Sequence, residues 1–336
     1  MNGEVLVERP PALAARGEGG TDLLPVLGQP NCIRAVADEA HGTPRPVPVC
    51  RCVPEASMTE RPSARVENLR LSLLGCQGSQ WIANESASLL AAERSRIPVA
   101  PLTARRPGLS LEDAYRIQAA AVAHRVAAGA RMVGHKVGVT SQAMQQQMGV
   151  DEPDSGVLLD DMVLPSGSEL LMGDFMNPRV EAEIAFRLRR DLRGPEVDVE
   201  AARRAVSDVF LALEVIDTRF TDWQIGLTDS VADNASCARV VMGAMVPLDP
   251  GWDLGAEQLV VSVDGTPVAC GEGRAVLGDP FNPLVWLARR LNSLGAGLRA
   301  GDLVLAGAVH ASIPLSAGTA VHVTSPHLPP VHLRVG

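Results

Sequence analysis

The stretch RVEAEIAF, Arg179–Phe186, places two glutamates two residues apart inside an apolar run. A helix does not explain this spacing, because residues i and i+2 of a helix point to nearly opposite sides. A strand does explain it, since its side chains alternate between two faces. One face then carries only apolar side chains: Val180, Ala182, Ile184 and Phe186. The other face carries Glu181 and Glu183, so it either meets water or brings both carboxylates to a positive group.

A third glutamate lies in the stretch VFLALEVID, residues 209–217. This stretch is short, apolar and bounded by polar residues, which predicts a strand buried on both sides. The carboxylate of Glu214 would cost several kcal/mol there unless a cation or hydrogen-bond donors compensate it. One interpretation is a buried salt bridge to Arg219 or Arg239. The other is a hard-oxygen site for Mg²⁺ or Mn²⁺, formed together with the two glutamates of the first stretch.

The remaining patterns predict a β-rich α+β domain. Ser110 and Asp113 fit a capping box in front of a helix, whose apolar stripe is Leu111, Ala114, Ile117, Ala121 and Val122. Further helices are predicted over 141–149 and 196–208, and from an N-cap at Asn282 to about Leu294. Asp264-Gly265 is a strong hairpin signal, and late strands follow at 303–309 and 320–324. The chain has no internal repeat and no regular βαβ alternation, which favours α+β.

Composition narrows the class of protein. The chain has 336 residues, 46% of them apolar and 21% charged, as in ordinary globular proteins. Its net charge of −9 argues against a nucleic-acid or anionic-membrane surface, and no apolar run approaches the roughly 18 residues of a membrane span. The six cysteines contain no C-x-x-C pair, so we expect reduced thiols and a cytoplasmic protein. Cys50 and Cys52 could ligate a metal, but no second Cys/His pair follows them.

The chain divides unevenly. Residues 1–60 are rich in proline, glycine and charge, which predicts a disordered leader. Met58 offers an alternative translation start, and the sequence does not decide between it and Met1. We expect a helical or linker region over 61–108 and the catalytic domain over 109–336.

Several other polar residues carry two interpretations each. Lys136 lies between glycines in GHKVG, which suits close approach to a ligand or simply a solvent-facing loop lysine. Asp233 and Asn234 are turn formers by default. His310 follows an apolar strand, where it is either a general base or a structural histidine.

Six motifs, in this order, together resemble the 2-keto-4-pentenoate hydratase family. They are GHKVGVTS (134–141), QQQMGVDEPDSG (145–156), NPRVEAEIAF (177–186), LALEVIDTR (211–219), VADNAS (231–236) and VWLARRLNSLG (285–295). That family includes the 4-oxalocrotonate decarboxylases and belongs to the fumarylacetoacetate hydrolase superfamily. The resemblance covers about residues 80–336. It departs from the family at SPHLPPV, 325–331, in place of a glycine-containing turn, and at Ser155, where an aromatic residue is usual.

The resemblance implies a fold and a site. The fold is a mixed β-sandwich roll with flanking helices, usually in a homo-oligomer. The metal ligands match Glu181, Glu183 and Glu214, and the catalytic residues match Lys136 and Asp154. The substrate-binding candidates are Asp233, Asn234, Ser236 and His310.

The resemblance also implies a reaction. It is the Mg²⁺- or Mn²⁺-dependent addition of water to a 2-hydroxy-2,4-dienoate, giving a 4-hydroxy-2-oxoacid in meta-cleavage catabolism of aromatic compounds. Two alternatives stay open: a 4-oxalocrotonate-type decarboxylase on the same scaffold, and a non-catalytic subunit that pairs with a sister hydratase or decarboxylase. The hydratase is favoured because Asp154 is a polar group able to orient water.

Overall fold

The predicted glutamate strand is β5, Arg179–Leu188, at the centre of a large mixed sheet in this computed structural model, which describes residues 79–141, 145 and 150–336. These residues all lie in one unit, Thr59–Gly336. The helices are α1 (Ser79–Ser95), α2 (Leu102–Arg105), α3 (Leu111–Ala127), α4 (Val199–Ala205), α5 (Leu227–Ala232) and α6 (Phe281–Ser293). Short 3₁₀ turns join several elements, including Asn234–Ser236 after α5.

The strands are β1 (Met132–Gly138), β2 (Asp154–Leu159), β3 (Val163–Pro165), β4 (Glu169–Leu170), β5, β6 (Val206–Ile216), β7 (Cys237–Met242), β8 (Val246–Pro247), β9 (Gln258–Val263), β10 (Thr266–Glu272), β11 (Leu303–Ala308), β12 (Ile313–Pro314), β13 (Ala320–Thr324) and β14 (Val331–Val335). Within the described chain they form two sheets. The larger sheet has nine strands in the order β2-β1-β11-β5-β6-β7-β3, with β12 beside β5 and β8 beside β6. The smaller sheet has the order β10-β9-β13-β14-β4. Both mix parallel and antiparallel pairs, so the predicted α+β sandwich roll is confirmed.

The two faces of β5 have the composition that the alternation predicts. Val180, Ala182, Ile184 and Phe186 enter the apolar core that also contains residues of the smaller sheet and of α6. Ala185, on the opposite face, packs in a second core under α3. The glutamate face is therefore covered by protein rather than by water, and a buried carboxylate on it requires compensation.

Two predicted boundaries were wrong. The helix expected over 196–208 ends at Ala205, because Val206 pairs with Leu188 and Asp208 with Arg187 in the sheet. Ladder hydrogen bonds therefore override the helical periodicity of these three residues. The late helix begins at Phe281 rather than after an Asn282 cap, since the carboxylate of Asp279 already accepts from the Phe281 amide.

Other local predictions are confirmed. The Ser110 hydroxyl accepts from the Asp113 amide at the start of α3. Asp264 and Gly265 join β9 to β10 with positive φ angles at both positions, as a two-residue hairpin turn requires. The 141–149 helix, apart from Ser141 and Gln145, lies outside the described residues, as do the leader over 1–60 and the pair Cys50 and Cys52.

The described part of the 61–108 region is not a separate linker. Helices α1 and α2 share an apolar cluster with α3, to which they contribute Ile82, Leu89 and Leu102. This cluster also includes Phe220 and Val231, so these helices belong to the same folded unit as the catalytic residues. No helix in the described ranges is long and apolar enough to cross a membrane.

The atypical SPHLPPV turn is held by one buried carboxylate. Glu257, 2% exposed, accepts from the Ser325 hydroxyl, the His327 amide at 3.0 Å and His327 Nδ1 at 2.7 Å. Burial alone would raise the pKa of Glu257, but the hydrogen bonds from Ser325 and His327 lower it below its usual value. These contacts hold the turn in place without a glycine.

We expect Glu257→Gln to lower the free energy of unfolding by about 2 kcal/mol at neutral pH, because charged hydrogen bonds are lost. Because the pKa of Glu257 is lowered in the folded protein, its hydrogen bonds stabilise the fold at pH values above the pKa of the unfolded state. This contribution disappears as the pH falls through the pKa of the folded state. Denaturant titrations at neutral and acid pH measure both effects. Glu272→Gln, at an exposed carboxylate paired with Arg274, is the control and should change little. A stability difference independent of pH would contradict this account.

Candidate functional site

Three carboxylates converge on the covered face of the large sheet. In the β5–β6 ladder Glu181 lies directly opposite Glu214, and Glu183 follows two residues later on the same face. One carboxylate oxygen from each lies within 4.8 Å of the others. Glu183 and Glu214 are 1% and 0% exposed, whereas Glu181 is half-buried. A cation between them would therefore have an approach from the side of Glu181.

One glycine aims the second glutamate. The Gly307 amide donates to Glu183 Oε2 at 2.7 Å, from an irregular stretch of β11 between Leu305 and Ala308. Gly307 has a φ of +116°, in the region that favours glycine. A Cβ there would also lie 2.2 Å from the Thr140 hydroxyl. Glu183 is thus fixed through one oxygen, and the other is left to face its neighbours.

The remaining carboxylate oxygens of this cluster receive little compensation from the described residues. Glu183 Oε1 and both carboxylate oxygens of Glu214 are buried without a hydrogen-bond partner in the described residues. Burial, and next the charge of Glu214, raise the pKa of Glu181 to about 7 and that of Glu183 well above its usual value. Crowded buried carboxylates are unfavourable alone, and a divalent cation with oxygen ligands would compensate them. The donor set therefore fits a hard divalent metal.

Lys136 supplies the positive group on the other side of this cluster. It lies in β1 at 4% exposure, so a solvent-facing loop lysine is wrong. Its Nζ lies 3.4 Å from Glu214 Oε1 and donates to the Ala235 carbonyl at 3.0 Å. Burial would lower the pKa of Lys136, but the charges of Glu214 and then Asp154 raise it. The lysine therefore stays an ammonium ion.

The arginine partners proposed for Glu214 are also wrong. Arg219 is paired with Asp233, and the Arg239 guanidinium donates to the Ala238 carbonyl. One sequence signal could have pointed to the lysine: Lys136 is the only lysine in a chain that otherwise uses arginine for its basic side chains. A lysine offers a compact point charge that arginine does not reproduce.

Asp154 opens β2 and lies beside the lysine. It pairs with Gly138 of β1 in the ladder. Its Oδ2 accepts from the Ser230 hydroxyl at 3.5 Å, and its Oδ1 is buried without a hydrogen-bond partner. A Cβ on Gly138 would lie 2.3 Å from Asp154 Oδ1 and 3.1 Å from Lys136 Nζ, so glycine is required for these groups to approach. Burial raises the pKa of Asp154.

The VADNAS segment makes a strained left-handed turn. Asn234, Ala235 and Ser236 have φ angles of 55°, 51° and 57°, a conformation that costs energy in non-glycine residues. The turn points the Ala235 carbonyl at Lys136, and the buried Ser236 hydroxyl has no hydrogen-bond partner among the described residues. Asp233 accepts from Arg219 and Thr218, and burial raises the pKa of Asp233 to about 6.

Two predicted substrate contacts are engaged elsewhere. The Asn234 side-chain amide accepts from the Val157 amide at 2.8 Å and donates to its carbonyl at 2.9 Å. His310 Nδ1 donates to the Ala311 carbonyl, and its Nε2 accepts from the Ala182 amide at 3.0 Å. Burial lowers the pKa of His310, which keeps the ring neutral. This geometry favours the structural interpretation of His310 over a general base.

The structure thus brings together five of the nine predicted side chains: Glu181, Glu183, Glu214, Lys136 and Asp154. Ser236 lies in the turn whose Ala235 carbonyl accepts from Lys136. Asp233 precedes that turn and is paired with Arg219. Sequence reasoning missed the Gly307 amide and the Ala235 carbonyl. Backbone groups carry no side-chain signal, so only the fold identifies them.

Known proteins share this arrangement of elements. The fumarylacetoacetate (FAA) hydrolase C-terminal family matches residues 116–335. A 2-keto-4-pentenoate hydratase of Paraburkholderia xenovorans is 43% identical over 232 residues, covering 69% of this chain and 86% of the relative. A 2-hydroxyhexa-2,4-dienoate hydratase of Comamonas testosteroni is 38% identical and covers 71% and 91%. The structure of 4-oxalocrotonate decarboxylase from Pseudomonas putida G7, complexed with magnesium and adipate, superposes with a TM-score of 0.74 at 30% identity, covering 76% of this chain and 98% of that one. The chain therefore belongs to the 2-keto-4-pentenoate hydratase family of the fumarylacetoacetate hydrolase superfamily.

Proposed function

We propose that the protein is a hydro-lyase that adds water to a 2-hydroxy-2,4-dienoate of the 2-oxopent-4-enoate type, in the meta-cleavage catabolism of aromatic compounds. The observation that carries this proposal is the buried cluster of Glu181, Glu183 and Glu214, which lies beside the Lys136 ammonium and the carboxylate of Asp154. One oxygen of that carboxylate has no hydrogen-bond partner in the part of the chain that the structure describes. The hydratases among its relatives, at about 40% identity, support the same reaction.

We propose Mg²⁺ or Mn²⁺ as the cofactor, held by Glu181, by Glu183 through its free oxygen and by Glu214. Carboxylate oxygens are the ligands that these hard cations prefer. When bound, the metal supplies a Lewis acid that polarises the substrate's 2-oxygen and stabilises enolate charge. Gly307 contributes by holding the other oxygen of Glu183, so that this ligand is oriented before substrate arrives.

Lys136 acts as an electrostatic stabiliser. Its ammonium ion is held between Glu214 Oε1 and the Ala235 carbonyl, so its position does not depend on the substrate. A preorganised charge of this kind stabilises negative charge that develops on the substrate without reorganisation. The raised pKa holds the proton on Lys136, which favours this electrostatic role over a proton relay.

Asp154 orients the nucleophilic water. Its Oδ1 has no hydrogen-bond partner in the described residues, so it can accept from a water and direct the oxygen at C4. In the balanced reaction the dienoate gains a proton at C5 and loses the proton of its 2-hydroxyl, which gives the conjugated 2-oxo-3-enoate. Water then adds across C3 and C4, with the hydroxyl on C4 and a proton on C3. The product is a 4-hydroxy-2-oxoacid, with no other atom gained or lost. We propose that the buried Ser236 hydroxyl contacts the substrate and that Asp233 and Asn234 hold the turn in place.

A decarboxylase is the second candidate, favoured by the superposition on 4-oxalocrotonate decarboxylase. The same electron sink would accept the electrons left when carbon dioxide departs. Asp154 favours the hydratase instead, because a buried polar group able to orient water serves water addition and is not needed for decarboxylation. A non-catalytic subunit is disfavoured because all three glutamates and Lys136 are present and converge.

Two substrates distinguish these reactions. We would supply 2-hydroxypenta-2,4-dienoate and 2-oxo-3-hexenedioate separately, each with Mg²⁺ or Mn²⁺. The hydratase should remove the diene absorbance of the first and form 4-hydroxy-2-oxopentanoate. Rapid release of carbon dioxide from the second compound, with no turnover of the first, would overturn the proposal.

Asp154→Asn should slow hydration at least about tenfold, or about 1.4 kcal/mol of barrier, because the amide cannot take the proton of the water. Initial rates at saturating metal and substrate measure this loss. Asp161→Asn provides a matched control just beyond β2, where the side chain is 53% exposed and bound to Arg125. Equal rates for wild type and Asp154→Asn would remove Asp154 from the mechanism.

The assembly and location stay predictions. We propose a homo-oligomer in the cytoplasm, with a sister hydratase or decarboxylase subunit as a further partner. Sedimentation of the purified protein, alone and with candidate sister subunits, tests the assembly.

A further inference from the structure

Among the strands that the structure describes, β2 lies at the edge of the large sheet and has β1 as its one neighbour. An edge strand leaves the amides and carbonyls of alternate residues without a ladder partner. In β2 these residues are Ser155 and Val157, since Asp154, Gly156 and Leu158 alternate with them along the strand. The catalytic carboxylate of Asp154 therefore sits at the beginning of a strand that is hydrogen-bonded to a neighbouring strand on one side alone.

Side chains form the hydrogen bonds that a second neighbouring strand would otherwise form with β2. The Ser155 amide donates to the Tyr115 hydroxyl at 3.3 Å, and the Ser155 carbonyl accepts from Gln118 Nε2 at 2.9 Å. Asn234 makes the equivalent pair of bonds to Val157. Both outward-facing residues of the edge thus have amide and carbonyl satisfied by three side chains.

The two partners of Ser155 are themselves fixed. Tyr115 and Gln118 are one turn apart on α3, so both can reach the same peptide. The Arg290 guanidinium lies over the Tyr115 ring, with its Cζ atom 4.8 Å from the ring centroid. Gln118 is 6% exposed and donates a second bond to the Val231 carbonyl of α5 at 2.9 Å. Ser155 is therefore bonded to α3 directly and linked to α5 through Gln118.

This anchoring bears on Asp154, the preceding residue. The carboxylate of Asp154 accepts a long hydrogen bond from the Ser230 hydroxyl and one from the backbone amide of Gly138, its ladder partner in β1. Both contacts depend on where the β2 backbone places Asp154, and that backbone is fixed at Ser155 by Tyr115 and Gln118. We propose that Tyr115 and Gln118 are positioning residues that act on the reaction through Asp154. This inference deepens the proposed function and rests on it for the role of Asp154.

We call the bonds from Tyr115 and Gln118 to Ser155 the edge clamp. If its role were purely structural, breaking it would have different effects. It would lower stability when broken and leave the turnover of the folded enzyme unchanged. A positioning role lowers kcat, because small displacements of a reacting group have large effects on rate. The metal ligands lie on β5 and β6, which β1 and β11 separate from β2 in the sheet, so metal affinity should stay constant in the positioning case.

Tyr115→Phe is the main test, because it removes the hydroxyl and keeps the ring under Arg290. We expect kcat to fall about tenfold, with KM and metal affinity within about twofold of wild type. Amide hydrogen exchange at Ser155 should become faster. Gln118→Met, which removes the other contact, should lower kcat in the same direction. The control is Ser86→Ala, which removes a buried hydroxyl bound only within its own helix and should leave kcat unchanged.

An unchanged kcat in Tyr115→Phe, with faster exchange at Ser155, would overturn the inference and leave a structural clamp. A crystal structure of the variant with the Asp154 carboxylate unmoved would overturn it as well. Activity of the wild-type enzyme on a dienoate distinguishes failure of this inference from failure of the proposed function. If wild type hydrates no dienoate, the proposed function fails, and exchange at Ser155 together with the position of Asp154 still decides the clamp.

Discussion

Glu183→Gln is expected to raise the dissociation constant for Mg²⁺ or Mn²⁺ at least about 100-fold and to abolish nearly all turnover. The amide keeps the shape of the side chain and can still accept from Gly307 through its oxygen. It removes one negative charge and the free carboxylate oxygen that faces Glu181 and Glu214. Without metal, the unfolding temperature should not fall, because the substitution also relieves repulsion among buried carboxylates.

Titration calorimetry of the metal-stripped protein and a thermal melt with chelator measure these two quantities. Glu169→Gln makes the same substitution at an exposed position of β4 and should alter neither. If metal-stripped wild type turns over at full rate in chelator, the metal site is not catalytic. A large loss of metal-free stability in Glu183→Gln would show instead that the glutamate is structural.

Lys136→Met is expected to lower turnover at least about 100-fold, because the charge that stabilises the developing enolate is lost. The buried ammonium is also the counter-ion of Glu214. Removing one partner of a buried pair costs about 3–5 kcal/mol, so the metal-free variant should melt well below wild type. Added Mg²⁺ should recover part of this loss, since a bound cation again neutralises the carboxylates.

The informative quantity is the shift in unfolding temperature on adding metal, which should be larger in Lys136→Met than in wild type. Arg131→Met, at an 81% exposed side chain just before β1, is the matched control and should keep wild-type turnover and the wild-type shift. Equal shifts in Lys136→Met and wild type would contradict a shared charge-compensation role for Lys136 and the metal.

Much of the framework could be predicted from the chain alone. The alternation in Arg179–Phe186 indicated a strand with one apolar and one carboxylate face, and both faces are observed. The buried carboxylate of Glu214 required a cation or hydrogen-bond donors, because an isolated charge in an apolar strand is too costly. Local signals such as the Ser110 cap and the Asp264-Gly265 turn were readable because their hydrogen bonds join residues a few positions apart.

Boundaries and partners were decided by long-range contacts. The helix over 196–208 was cut short at Ala205 because β5 offered ladder partners to the residues that follow. Glu214 paired with Lys136, 78 positions earlier in the chain, rather than with the nearby Arg219. Spacing along a chain does not reveal which of several cations the sheet order brings closest.

The sequence by itself determined which residue types could form this site, because strand alternation and the cost of a buried charge act on each residue in its local pattern. The tertiary structure alone decided which groups hold those residues in place. The Gly307 amide, the Ala235 carbonyl and the Tyr115, Gln118 and Asn234 bonds to β2 all join elements distant in sequence. Each depends on strand order and helix packing, which place a backbone group within about 3 Å of its partner only after the chain has folded.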